Sequence, residues 1–187
     1  MTFGPPVWTT DRRILRCVRK GAADVEDKPL AQPLRFELFV KVNRAPADVF
    51  ALLADVQDGE PLPTTAGVRM AKIPRGPTTI GTRWHEEVRL LPAWWMVVES
   101  TVTEVDAPRS LGMDFRSGWF TGHLTYTIEA APGGSVLHQH KVVHLRSGLR
   151  PFARLVDRGL RRRLVQRLCD IQDYLDCHRG PSSPHHR

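Results

Sequence analysis

The sequence predicts an α+β fold: a curved, seven-stranded antiparallel sheet wrapped around one long C-terminal helix, with two short helices after the first strand. Two observations carry this. From about Thr79 to Leu145, short alternating segments follow one another across tight turns. From Leu149 to Leu175, apolar residues then recur at spacings of three and four. A sheet with one apolar face must cover that face, and a helix with one apolar stripe can do so. If the sheet curves, the space between them becomes a pocket.

Residues 1–33 are expected to be an appendage. Thr10 would cap a short helix carrying Ile14, Leu15 and Val18, and the polar stretch from Gly21 to Pro33 reads as a linker. The folded domain is expected over 34–178 and a disordered tail over 179–187. Phe36, Leu38, Val40 and Val42 alternate with Arg35, Glu37, Phe39 and Lys41, the period of a half-buried strand. Pro46 stands near the start of a helix carrying Val49, Phe50, Leu52 and Leu53. Gly59, Pro61 and Pro63 break the chain after that helix, and Val68 to Ile73 reads as a short strand.

The remaining strands test one another by register. Pairing Leu90 with Trp94 across Pro92 sets Val88 opposite Met96 and Trp84 opposite Ser100. The turn Asp106–Arg109 sets Val102 opposite Met113 and Ser100 opposite Phe115. A turn over Arg116–Trp119 sets Phe115 opposite Phe120 and Leu111 opposite Leu124. Ala131–Gly134 sets Ile128 opposite Leu137 and Leu124 near Lys141. One face then carries Trp84, Val88, Met96, Val98, Val102, Met113, Phe115, Leu124, Tyr126, Ile128, Leu137, Val143 and Leu145. Trp94 and Trp95 are adjacent, so only one faces inward; the N-terminal segment would cover the other. The closing stripe is Leu149, Phe152, Leu155, Val156, Leu160, Leu164, Leu168, Ile171 and Leu175. Arg150, Arg154, Arg158 and Arg162 lie on its polar side. Gly159 interrupts it, either to leave room for a ligand or for close contact with the sheet.

No stretch approaches the roughly 18 apolar residues of a membrane span, and no apolar run comes after Arg12–Arg19 to make a secretory signal. Three cysteines, Cys17, Cys169 and Cys177, form no C-x-x-C pair. They read as thiols of a reducing cytoplasm rather than a disulfide framework or zinc site. Of the net charge of +7, residues 146–187 carry +6, from ten Arg and four Asp. The basic character therefore belongs to the C-terminal helix and its flanks. It is either a solvated face or an attraction for anionic phosphate groups, such as those of a membrane surface.

The stretch Phe39-Val40-Lys41-Val42-Asn43-Arg44-Ala45-Pro46-Ala47-Asp48-Val49-Phe50-Ala51-Leu52-Leu53-Ala54-Asp55 resembles the opening of the START-like superfamily. This superfamily is also called SRPBCC, Bet v 1-like or polyketide cyclase/dehydrase-type. Gly81-Thr82-Arg83-Trp84 is similar to its third strand, and Arg161-Arg162-Arg163-Leu164 onward to its closing helix. The resemblance covers about residues 35–178 and implies the helix-grip fold, with a cavity for an apolar or amphipathic small molecule. Relatives cyclise polyketides, carry lipids or quinones, or serve as chaperone cofactors or toxins. Members often carry Trp after the first short helix. Gln57-Asp58-Gly59-Glu60-Pro61 stands there in this chain, which implies a different pocket entrance.

The register sends Glu86, Ser100, Tyr126, Gln139 and Lys141 toward the pocket, where polar groups orient a ligand, hold one another or sit at a wet rim. Glu86 would act as a general acid or pair with Lys141. The expected ligand-binding set is Trp84, Glu86, Met96, Ser100, Met113, Phe115, Tyr126, Gln139 and Lys141, with Trp94 and Phe120 adding apolar surface; no catalytic residue is assigned. His123, His138, His140 and His144 fall on the opposite face beside Thr121, Thr125, Thr127 and Glu129. His140 and His144 are roughly 13 Å apart along a strand, so no metal site is expected. No nucleophile elbow or phosphate-cradling loop is present; no cofactor and no nucleic-acid partner is expected. Three readings remain: a cytoplasmic binder of a lipid-, polyketide- or quinone-like molecule, a polyketide cyclase/aromatase-like enzyme, and a lipid carrier whose Arg-rich helix meets an anionic membrane surface.

Overall fold

A computed structural model describes residues 32–54, 68–91 and 94–177. The expected N-terminal helix, the linker, the Gly/Pro-rich breaker and the tail lie outside the described residues. The elements run β1 (Leu34–Val42), α1 (Pro46–Ala54), β2 (Val68–Ile73), β3 (Arg83–Leu91), β4 (Trp94–Asp106), β5 (Ser110–Ser117), β6 (Phe120–Ala131) and β7 (Gly134–Leu145). A 3-10 turn (Ser147–Phe152) then leads into α2 (Ala153–Cys177). The strands form one sheet in the order β1-β7-β6-β5-β4-β3-β2, and every neighbouring pair is antiparallel. This is the helix-grip arrangement, with one of the two expected short helices among the described residues.

Alternation decides the faces. In β1, Phe36, Leu38, Val40 and Val42 are buried while Arg35, Glu37, Phe39 and Lys41 are exposed. The expected pairings Trp84–Ser100, Val88–Met96, Val102–Met113, Ser100–Phe115, Ile128–Leu137 and Leu124–Lys141 are all present. Two hairpins differ. Leu91, not Leu90, pairs with Trp94, because an irregularity between Arg89 and Leu91 absorbs one residue. Phe115 meets Gly122 rather than Phe120, and Leu111 meets Tyr126 rather than Leu124. The Ser117 hydroxyl accepts the amides of Trp119 and Phe120, each at 3.1 Å, and tightens that turn. Arg116 and Ser117 both join β5 instead of the loop, which shifts the register by two, so no side chain changes face.

Gly122 is required where it stands. A Cβ there would lie 2.0 Å from the Val142 carbonyl oxygen and 2.4 Å from Cζ of Phe115. The missing side chain lets the Phe115 ring fold over the strand.

Helix α1 starts at Pro46 with the Ala45 carbonyl accepting the amides of Asp48 and Val49. It buries Val49 and Leu53 against the inner face of β5–β7. Its C-terminal Ala54 carbonyl accepts Lys72 Nζ (3.3 Å) and the Thr78 hydroxyl. Helix α2 buries Leu164, Leu168, Ile171 and Leu175 and is fastened to β1. The Asn43 amide donates to Asp176 Oδ1 (3.1 Å), Arg44 Nε to the Leu175 carbonyl (2.7 Å) and Gln172 Nε2 to the Lys41 carbonyl (2.8 Å). The Arg161 guanidinium also stacks 5.3 Å from the Phe36 ring centre.

The first part of the expected stripe does not hold. Phe152 is 57% and Leu155 71% exposed. Residues 147–152 wind as a 3-10 turn around Pro151, which breaks the phase of Leu149 and Phe152 with the α-helix. Leu155 lies nine residues before Leu164, half a turn from the buried side at 100° per residue. Gly159 is exposed and a Cβ there would meet nothing within 4 Å, so close contact with the sheet does not explain it.

Candidate ligand-binding site

All nine expected site residues lie on the inner face. Trp84 and Glu86 come from β3, Met96 and Ser100 from β4, Met113 and Phe115 from β5, Tyr126 from β6, and Gln139 and Lys141 from β7. Trp84, Ser100, Met113, Phe115, Tyr126 and Gln139 are buried, and Met96 packs against them half-buried. Trp84, Met96, Ser100 and Met113 form wall, while Glu86, Tyr126, Gln139 and Lys141 form a polar cluster. At the end of that wall, alternation from Met96 puts half-buried Trp95 on the outer face.

The residue that sequence reasoning missed is Arg167. It reaches from α2 to Glu86, with Nη1 3.9 Å from Oε2, and the two side chains are only 20% and 13% exposed. Glu86 therefore pairs with the helix rather than with Lys141. The Lys141 ammonium instead sits 4.3 Å from the centre of the Phe115 ring. Gln139 Nε2 donates to the Tyr126 hydroxyl at 3.4 Å. Sheet curvature gathers these groups, which start on strands as far apart as β3 and β7, around one helix side chain. The signal for Arg167 was in the sequence: it falls three residues after Leu164 and four before Ile171, beside the buried stripe.

Electrostatics confirm a single cluster. Burial lowers the Lys141 pKa to about 8, with Glu86 opposing that shift and Arg167 reinforcing it. Burial raises Tyr126, with Arg167 lowering and Glu86 raising it further. For Arg167, burial acts against the charge, and Tyr126 and Glu86 more than offset it, so its pKa is raised. Four buried polar atoms have no hydrogen-bond partner among the described residues: Trp84 Nε1, Gln139 Oε1, Arg167 Nε and Asp170 Oδ2. Unmet groups of this kind are rare in interiors and costly.

The outer face behaves differently. A groove of about 850 Å³ opens there beside Arg83, His85, Glu99, Asp114, His123 and His144. Several of its polar groups meet in pairs. His123 Nδ1 meets Asp114 Oδ1 at 2.7 Å and its Nε2 meets Thr125 at 3.0 Å, and Arg116 meets Glu99 at 2.6 Å. His138 and His140 face Glu129 (3.7 Å) and Glu37 (4.0 Å). Among the described residues, no three His, Cys, Asp or Glu side chains converge as a metal site would require.

The family described as polyketide cyclase / dehydrase and lipid transport matches residues 33–175. None of the curated proteins matches the chain. Among solved structures, the chain is similar to the di-domain ARO/CYC StfQ from the steffimycin biosynthetic pathway, at TM-score 0.65 and 12% identity, covering 78% of this chain and 51% of that one. It is similar to the KanY protein at TM-score 0.61 and 18% identity, over 76% of this chain and 97% of that one. It is also similar to Ara h 8.0201 at TM-score 0.61 and 13% identity, over 78% and 99%. At these identities the structural likeness speaks for the fold alone.

Proposed function

The chain belongs to the polyketide cyclase/dehydrase and lipid transport family, and from that premise we propose that it binds a hydrophobic or amphipathic small molecule between the sheet and α2. One observation carries this reading: an apolar wall of Trp84, Met113 and Phe115 borders a polar cluster in which Gln139 Oε1 and Arg167 Nε have no hydrogen-bond partner among the described residues. A ligand with an apolar body and a few polar atoms would satisfy both. Extraction of the purified protein followed by mass spectrometry tests it, with a co-purified lipid-, polyketide- or quinone-like molecule expected. If Tyr126→Phe and Lys141→Ala both leave the affinity for that molecule unchanged, the site has been assigned wrongly. We propose a cytoplasmic location for it, because three cysteines with no C-x-x-C spacing suit a reducing compartment. No helix of the described residues is long and apolar enough to cross a membrane.

Two observations favour narrower readings. Lys141, lowered by burial to about 8, can exchange a proton near neutral pH, as a cyclase/aromatase-like step on a bound polyketide would need. Turnover of a linear polyketide that is lost in Lys141→Met supports that activity; turnover unaffected by the substitution removes the Lys141 role. Exposed Phe152 and Leu155 stand among exposed Arg150, Arg154 and Arg158, a combination suited to an anionic membrane surface. Absence of binding to anionic vesicles at low salt would end that carrier reading.

A further inference from the structure

The interior cluster constrains the chemistry of its ligand, a step that rests on the ligand-binding reading. Helix α2 has two flanks. One is fastened to β1 through Arg161, Gln172 and Asp176. The other carries Arg167 over the inner face toward β3. Glu86 engages one terminal nitrogen of Arg167 at the long distance of 3.9 Å, and the buried Nε of the same guanidinium has no acceptor among the described residues. Lys141 makes no salt bridge among the described residues and rests on the Phe115 ring. Two cations thus share one carboxylate. Asp170 does not correct the imbalance: its Oδ1 accepts the Gln166 amide at 2.8 Å, and the charges acting on Lys141 and Tyr126 are Glu86 and Arg167.

We infer that the ligand is an amphipathic acid whose carboxylate is received by Arg167 Nε and Lys141 Nζ while its apolar body lies along Phe115, Met113 and Trp84. An aromatic face is a weak partner for a buried ammonium, and an ionised acceptor is a strong one. The acid would supply the missing negative charge and satisfy the orphaned Arg167 donor at once. The Tyr126 hydroxyl, held by Gln139, stands beside the same position as a further donor.

The test compares molecules of one shape and different head charge: dodecanoic acid, dodecanol and dodecyltrimethylammonium, with naphthoic acid and naphthyl methanol as a ring-shaped pair. Titration calorimetry on the full chain at pH 7 should find each acid bound about 10-fold or more tightly than its alcohol, and the cation bound least. In Lys141→Met and Arg167→Gln the acid should fall to within about 3-fold of the alcohol, with alcohol affinity little changed. Should Arg167→Gln fail to fold, Lys141→Met decides. Equal binding of acid and alcohol by the wild-type chain overturns the inference and leaves the ligand-binding reading standing. Binding of none of the five molecules removes both.

Discussion

The two faces of this sheet use the same residue types to opposite ends. Outside, histidines, arginines and carboxylates meet in short, exposed pairs: His123 with Asp114, Arg116 with Glu99. Inside, fewer polar groups are present and several lack partners. Water can complete any outer pair, so polarity there costs little and specifies little. The interior has no such reserve, so an unmet donor under α2 is informative where a cluster of histidines outside is not.

Matched substitutions on the two faces put this contrast at risk. Gly122→Ala on the inner face should cost on the order of 3 kcal/mol, since the new Cβ meets both backbone and ring. Thr121→Ala, its outer-face neighbour, should stay within about 0.5 kcal/mol; equal losses in denaturant titration would erase the distinction. Lys141→Met should stabilise the protein at pH 7 by on the order of 2 kcal/mol. The sign follows from a folded pKa of about 8 below the ordinary 10.5. Within that window the unfolded chain holds more protons, so rising pH favours the wild-type fold, and below it the buried charge near Glu86 and Arg167 carries its full cost. The advantage of methionine should therefore shrink from pH 8 toward 10, measured as melting temperature against pH.

Glu86→Gln should cost about 1–3 kcal/mol by leaving Arg167 buried beside a neutral amide. Glu99→Gln, which breaks the exposed pair with Arg116, should cost no more than about 0.5 kcal/mol. Similar values for the two would mean that the inner pair is as wet as the outer one. On the solvent side of α2, Gly159→Ala should add up to about 1 kcal/mol of stability, because propensity alone acts where nothing is touched.

Much of the fold was legible because alternation is a strict code. Once Trp84 faced Ser100, the positions of Glu86, Tyr126, Gln139 and Lys141 followed. Alternation is blind, however, to a shift of two, and the β5–β6 turn depended on a single hydroxyl, Ser117. Arg167 was obscured by its company. Among ten arginines after Leu145 it read as one more solvated charge, although its spacing from Leu164 set it against the core. Its pairing with Glu86 needed the curvature of the sheet, which no local pattern encodes.

The strand order has a consequence in time. Each hairpin from β3 to β7 can close soon after it leaves the ribosome, but β1 has only β7 beside it. Leu34 must wait for Val143 and Val42 for Ser135, a delay of roughly 5–20 s at ordinary rates of translation. Until then Phe36, Leu38, Val40 and Val42 form an apolar strand with an open edge, the kind of segment that seeds aggregation. Translation speed through the hairpins, and any chaperone that shields β1 meanwhile, should therefore govern how much native protein a cell obtains.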